Sequence, residues 1–292
     1  MEPTVPLPED PAQPTDGHGQ PLYPSGRVIH RRFFREHVID IVDEADGMRA
    51  MYFMSRLIQS RMDLADPLRL VLPYTRHMMT ALLFLTGVKA PRILMLGLGG
   101  GSMVKFILHH IPDCRLDVVE IDAAMEQTAR SFFGLPEDPR LRIHQADGAL
   151  FLESVATARF DLILVDAFDG LGMARSVHVR HFFLTAKKSL SASGILAINM
   201  TKSDSVIYNS SSKILKSLFG NRLLRLPVRM SRNEILLGFP GDRHQTDWTW
   251  MEKQAKTWEE NTGLEYGQFV QDMRRSSAPF WSRAINLQPG FF

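Results

Sequence analysis

The sequence predicts an α/β protein: a largely parallel sheet with helices on both faces, preceded by a small N-terminal antiparallel β-domain. Three observations carry this. From about residue 92 onward, short apolar runs alternate with stretches of helical spacing; the first of those runs ends in a glycine-rich turn; and an Asp-Gly pair divides two β-like segments near the N-terminus. With 292 residues and 45% hydrophobic content, a sizeable core is available to one large or two modest domains.

In chain order, residues 1–26 are crowded with proline, glycine and small polar residues and show no period, so a disordered or loosely attached leader is expected there. Residues 27–86 are expected to form the small domain. Its hairpin is VIDIVDEA and RAMYFMSRLIQS around Asp46-Gly47, a pair suited to a tight turn, and TRHMMTALLFL is an amphipathic-to-buried helix that stops at Gly87. Residues 87–292 are expected to form a nucleoside-binding domain.

That domain opens on RILMLGLGGGSMVKFILHHIPDCRLDVVEID. Residues 93–96 form a short buried strand, Gly97-Leu98-Gly99-Gly100-Gly101 a turn free of Cβ interference, residues 103–110 a helix, and residues 116–119 a second strand ending in Glu120-Ile121-Asp122. A carboxylate about 20 residues past the glycines is placed to reach both ribose hydroxyls of an adenine nucleoside whose other end lies against the turn. The alternative is a turn that only permits close packing. No Lys-Ser or Lys-Thr closes the glycine run, so the P-loop pattern is absent and phosphate binding is not the expectation here.

The alternation continues. Residues 123–133 are helical with Asp122 available as cap. Residues 141–144 form a strand running into Asp147-Gly148, and residues 149–155 a helix. FDLILV is the clearest buried strand and ends in Asp166. A helix over 179–190, a fifth strand over 194–200, a serine-rich loop over 203–212, a helix over 212–219, an antiparallel pair over 223–228 and 234–239, and helices over 246–261 and 266–275 complete the chain.

Several classes are excluded. The net charge of +2 predicts no polyanionic partner, which leaves nucleic acid only a local patch. Cys114 is the only cysteine, so no intramolecular disulfide forms and a reduced, structural thiol in a cytoplasmic setting is expected. The first residues lack a signal peptide's basic start and apolar run, and no stretch is long and apolar enough to span a bilayer. His109 and His110 are adjacent on a helix and point in different directions, and no His or Cys spacing suits zinc, so no metal is expected.

Ligands of open α/β sheets sit beyond the carboxyl ends of the strands. The glycine turn, Glu120, Asp147-Gly148, and Asp166 with Asp169 all collect there, although each acid could serve only as a local cap. Over residues 93–200, and more loosely over the N-terminal hairpin, Gln59 and Tyr74, the chain resembles spermidine synthases and the spermidine-synthase-like methyltransferases. Both have a Rossmann-type class I methyltransferase sheet preceded by a small β-domain. The resemblance implies that Gly97, Gly99, Gly100 and Gly101 line the cofactor, that Glu120 holds the ribose hydroxyls, and that Asp147 with Gly148 holds the adenine amino group. Asp166 takes the place of the catalytic aspartate, with Asp169 and Tyr74 beside it, and Gln59 and Tyr74 line the acceptor pocket. It further implies S-adenosylmethionine or its decarboxylated form as cofactor, a small-molecule acceptor that is a polyamine in the synthases, no metal, and a homodimer.

The departures decide the expected chemistry. In the synthases the turn is GGGDGG, and its acid binds the amine of decarboxylated S-adenosylmethionine; here Gly100 stands at that place. DSSDP becomes Asp166-Ala167-Phe168-Asp169-Gly170, and the acidic YQEM becomes Tyr74-Thr75-Arg76-His77-Met78. Like charges about 5 Å apart at an effective dielectric near 20 repel by roughly 3 kcal/mol, about a hundredfold in affinity. An acid in the turn therefore rejects intact S-adenosylmethionine, whose tail adds a carboxylate, and its loss removes that discrimination. Arg76 and His77, if they point inward, also make the acceptor pocket less attractive to a polycation. The expectation is methyl transfer from intact S-adenosylmethionine to an unidentified acceptor. Aminopropyl transfer from the decarboxylated form to putrescine or a related diamine is the alternative, and a non-catalytic nucleoside-binding protein the third.

Overall fold

A computed structural model of the chain describes residues 14–34, 37–53, 57–155, 157–169, 172–241 and 247–277. The chain divides into two compact units: residues 1–71 with 99–106 and 124–136, and residues 72–98 with 107–123 and 137–292.

The first unit holds a four-stranded antiparallel sheet in sequential order: β1 (Gly26–Phe34), β2 (His37–Glu44), β3 (Met48–Tyr52) and β4 (Ile58–Asp63). The β2–β3 hairpin turns at Asp46-Gly47, where Gly47 takes φ +81°, a conformation glycine reaches without a Cβ penalty. The strand expected to run on to residue 59 instead stops at Tyr52, and β4 begins separately. Order also starts earlier than residue 27. Thr15 bridges to Pro21, and Tyr23 is buried with its ring 4.4 Å from Tyr52 and its hydroxyl donating to Asp40. Tyr23 packs with Val28, Val42 and Ala50 into a small core, which fixes this part of the expected leader; residues 1–13 lie outside the described residues. Asp40 is fully buried and is balanced by the Arg31 guanidinium at 2.6 Å.

The second unit begins with α1 (Pro73–Met78), which tightens into a 3-10 turn over Met79–Leu85. These residues, expected in the small domain, pack instead against strands of the large sheet. Next come β5 (Arg92–Leu96), α2 (Ser102–His110), β6 (Arg115–Glu120) and α3 (Met125–Phe133), which belongs to the first unit. Ala124, not Asp122, precedes the first turn of α3, and no side chain caps it. The remaining elements are β7 (Leu141–Gln145), α4 (Gly148–Ser154), β8 (Phe160–Val165), the short pair β9 (Phe168–Asp169) and β10 (Gly172–Met173), α5 (Arg180–Ser189) and β11 (Leu190–Thr201). They are followed by α6 (Ser205–Phe219), β12 (Leu223–Pro227), β13 (Asn233–Gly238), α7 (Trp248–Thr262) and α8 (Tyr266–Ser277). The serine-rich stretch expected as loop is therefore the start of α6, where Asp204 accepts from the Ile207 N–H and caps the helix.

The large sheet has seven strands in the order β12-β13-β11-β8-β5-β6-β7, parallel from β11 through β7 and antiparallel at β13 and β12. Its central strands are continuous apolar runs because both faces are covered. On one face Leu94, Leu96, Ile163, Val165, Leu196 and Ile198 pack with Phe182 and Phe183 of α5 and Leu215 and Phe219 of α6. The opposite face carries α1, the 3-10 turn, α7 and α8. No helix among the described residues is long and apolar enough to cross a membrane.

Candidate active site

Parallel strands end together, and this sheet uses that to gather its acids along one edge. Leu96 of β5 is in register with Val119 of β6 and Val165 of β8, Glu120 with Gln145 of β7, and Val165 with Ile198 of β11. Gly97, Glu120, Asp147, Asp166 and Asn199 therefore all fall at or just past that line. With strands about 4.8 Å apart, Glu120 and Asp166 are separated by two strand spacings, roughly 10 Å.

At the centre of the edge, Gly97 has φ +97°, and a Cβ built there would lie 2.3 Å from the Asp166 carbonyl oxygen, so only glycine lets the chains after β5 and β8 cross this closely. Leu98 then donates its N–H to Glu120 Oε2 at 2.9 Å, while Asp122 donates to Oε1 at 2.9 Å. Burial raises the Glu120 carboxyl above the usual range, and these N–H groups pull against it. Asp147 Oδ1 accepts from the N–H groups of Ala149 at 2.8 Å and Leu150 at 3.2 Å, capping α4. Gly148, where α4 begins, sits so close to Leu96 that a Cβ would be 3.2 Å from its side chain.

The Asp166 carboxylate has two donors. Asn199 Nδ2 donates to Oδ1 at 2.9 Å, and the Tyr74 hydroxyl, in the first turn of α1, donates to the carboxylate as well. Asn199 is 2% exposed and is itself held by Asn233 of β13, whose Nδ2 donates to Asn199 Oδ1 at 2.8 Å. Burial pushes the Asp166 carboxyl up to about 6 despite the two hydrogen bonds. Burial and then the neighbouring carboxylate hold the Tyr74 phenol well above its ordinary value. Asn199 and Asn233 were not singled out from the sequence; the available signal was a lone amide in an otherwise apolar strand, level with Asp166.

Other expected site residues are placed differently. Asp169 closes β9 opposite Gly172, and its side chain lies outside what is described. Gln59, on β4, and Gly99, Gly100 and Gly101 belong to the first unit. There the Gly100 N–H donates to Ser60 Oγ at 2.8 Å, and a Cβ on Gly100 would meet the Phe133 ring at 2.9 Å and Ser60 Cβ at 3.1 Å. The position of the synthases' turn acid thus has lost its room as well as its charge. Arg76 pairs with Glu265, and His77 is buried with its ring 4.3 Å from Phe269 and its Nδ1 bonded to the Pro73 carbonyl. Both are turned toward the α8 region while Tyr74 is turned to Asp166, so the inward-pointing cations considered from the sequence are not found at the carboxylate. The His109 and His110 rings touch edge-on at 4.7 Å instead of diverging, and no group of three His, Cys, Asp or Glu among the described residues could hold a metal ion.

Residues 73–219 match the spermine/spermidine synthase domain. The chain belongs to the spermine/spermidine synthase family. It is similar to the polyamine aminopropyltransferase of Chromobacterium violaceum, 35% identical over 237 residues, covering 81% of this chain and 89% of that one. Among solved structures it is similar to a probable spermidine synthase from Corynebacterium glutamicum, with a TM-score of 0.67 and 22% identity, covering 84% of this chain and 94% of that one. It is also similar to human methyltransferase-like protein 13 in complex with SAH, with a TM-score of 0.60 and 23% identity over 66% of this chain and 93% of that one. The two structures share the Rossmann-type methyltransferase fold with this family member. The synthase-family chain is a transferase, and its cofactor class is S-adenosylmethionine or the decarboxylated form. The matched segment contains Tyr74, Glu120, Asp147, Asp166 and Asn199; Asn233 lies beyond it.

Proposed function

We propose that this protein transfers an aminopropyl group from decarboxylated S-adenosylmethionine to putrescine or a related diamine. The observation that carries this is the charge on the acceptor side: the Asp166 carboxylate, held by Tyr74 and Asn199, faces no cation from α1, because Arg76 and His77 are engaged elsewhere. That arrangement attracts a cationic amine, and the relative at 35% identity bears the name of this reaction. The residues present also suit an adenosine-type group. Glu120 ends β6 with a carboxylate held by backbone N–H groups, Asp147 accepts its two capping hydrogen bonds through Oδ1, and Gly97 lets the chain turn at the end of β5 where no Cβ could fit.

In this mechanism Glu120 accepts from ribose hydroxyls and Asp147 from the adenine amino group. The bound cofactor supplies the sulfonium-activated carbon. Tyr74 and Asn199 fix the Asp166 carboxylate, which orients the acceptor nitrogen and takes its proton as the new bond forms. A pKa of about 6 leaves this carboxylate ionised at neutral pH yet closer in basicity to its task than an ordinary aspartate. One observation favours methyl transfer from intact cofactor instead: Phe133 and Ser60 leave no side-chain volume at Gly100, so the acid that would reject the carboxylate tail is absent.

Incubation with each cofactor form and putrescine separates the two. Methylthioadenosine and spermidine from the decarboxylated form, lost in Asp166→Asn, are the expected products. S-adenosylhomocysteine from the intact form, with no methylthioadenosine from the other, would replace aminopropyl by methyl transfer.

A further inference from the structure

At the opposite end of the large sheet, the amino ends of β5, β6 and β7 open into a recess of about 1070 Å³ lined by residues of the second unit. It is separated from the candidate active site by the length of the strands; β5 alone, at five residues, spans roughly 17 Å. Its lining is strongly basic in a chain of net charge +2: Lys89, Arg92, Arg115, Arg140, Arg142 and Arg159 against Asp113 and Asp117.

Two of these cations have local work. Arg140 is fixed by Asp138 and by the carbonyls of Leu108, Ile111 and Pro112. Arg159 lies over the Phe160 ring and 3.8 Å from Asp117, which also meets His144 at 2.7 Å. Lys89, Arg92, Arg115 and Arg142 are exposed, and among the described residues none of the four is paired with a carboxylate. Arg92 and Arg115 are direct partners in the β5–β6 register, and Arg142 is the partner of Asp117 on β7, two residues beyond Arg115. Paired positions on neighbouring strands project to the same side, so the guanidiniums share one side of the sheet edge. Like charges at directly paired positions are destabilising; the Asp161 carboxylate accepts from the Arg92 backbone N–H at 2.9 Å, and Asp117 stands opposite Arg142, but among the described residues neither forms an ion pair with Arg92, Arg115 or Arg142.

We infer that this recess binds a small phosphorylated anion carrying a diphosphate group. Three guanidiniums without an ion-pair partner among the described residues, each able to grip two oxygens of one phosphate, complement a multiply charged phosphate ligand. The recess is slightly larger than the usual range for small-molecule sites and has room for a diphosphate with an attached group. A polynucleotide requires a stripe of charge extending past the recess, and the near-neutral balance of the chain supplies no such field. Inorganic pyrophosphate and a nucleoside diphosphate share the chemistry, and this site is independent of the transfer reaction proposed above.

The test titrates the full chain with pyrophosphate and, separately, with ADP by calorimetry, using sodium sulfate at equal ionic strength as the reference. Saturable binding of pyrophosphate is expected, with Arg92→Gln and Arg142→Gln each weakening it by about tenfold or more. Added decarboxylated S-adenosylmethionine should leave it unchanged. Tighter binding of ADP than of pyrophosphate identifies the nucleotide as the source of the diphosphate, and the reverse identifies the inorganic anion. Arg92→Gln relieves a repulsion, so its melting temperature without ligand should equal or exceed that of the unsubstituted protein. Heats no larger than those of sulfate, affinity undiminished in both variants, competition by the S-adenosyl cofactor, or binding only of oligonucleotides with affinity that climbs with length would each overturn the proposal.

Discussion

Removing the Asn199 amide should shift the acidic limb of turnover to higher pH. The Asp166 carboxyl sits at about 6, raised by burial and lowered by hydrogen bonds from Asn199 and Tyr74, so activity that requires the carboxylate falls as pH drops through that value. A hydrogen bond to a charged group contributes about 1.5–3 kcal/mol, and one pKa unit corresponds to about 1.4 kcal/mol. Asn199→Ala removes one of the two donors and moves the limb up by roughly one unit, to about 7. At pH near 6 the ionised fraction then falls from about 50% to about 10%, a roughly fivefold loss that is nearly gone by pH about 8. The assay is kcat/KM for the diamine against pH, followed by methylthioadenosine release. The acceptor amine, with a pKa of about 10 by analogy with lysine, titrates far from this limb. Because the substitution also leaves the Asn233 amide without its acceptor, the melting temperature at the alkaline end serves as control. An unmoved limb in a variant that melts normally would refute the assignment of Asp166 as the titrating base.

Other outcomes follow from the same geometry. Tyr74→Phe keeps the ring and deletes the hydroxyl that donates to Asp166, so kcat/KM should fall by roughly 10- to 100-fold without a change in circular dichroism; full activity would show that the hydroxyl is not used. Gly97→Ala puts a Cβ 2.3 Å from the Asp166 carbonyl at a φ of +97°, and stability should fall by roughly 2–5 kcal/mol in denaturant melts, with turnover lost alongside. Wild-type melting in that variant would contradict the close crossing. Lys105, buried and donating to the Phe133 carbonyl at 2.6 Å, is pushed down to about 8 by burial. Its ammonium disfavours the fold fully below that pH and not at all above its ordinary 10.5. Stability should therefore gain up to about 3 kcal/mol as pH rises through this window, a gain that Lys105→Met abolishes; equal pH slopes for the two proteins would argue against the shift.

Much of the architecture could be read from the chain because the large sheet is covered on both faces. Its strands are unbroken apolar runs, and the glycine turn with Glu120 declares the first βαβ unit. β1 is not legible for a local reason: a register shift between Val28 and His30 breaks its two-residue period, and an apolar residue, Phe33, takes one of its exposed positions. The helix expected over 212–219 is the second half of α6; its first half reads as loop because serine favours loops, whereas Tyr208, Ser211, Leu215 and Phe219 form a buried stripe that overrides that preference. At the site, the positions of Asp147 and Asp166 followed from strand ends alone. The side-chain directions of Arg76 and His77 did not, since they depend on partners about 190 residues further on, Glu265 and Phe269. The steric closure at Gly100 was equally illegible, because Phe133 and Ser60 reach it from opposite directions in sequence.

The relay from Asn233 through Asn199 to Asp166 has a consequence for how such a protein can change over time. Its outermost member sits on β13, the antiparallel strand between β11 and the edge strand β12, past the segment that matches the family. Substitutions in that late hairpin can thus retune the basicity of Asp166 while the residues proposed to hold the nucleoside, which come earlier in the chain, stay as they are. On the proposed mechanism, the pH optimum is in this way free to drift separately from the grip on the donor.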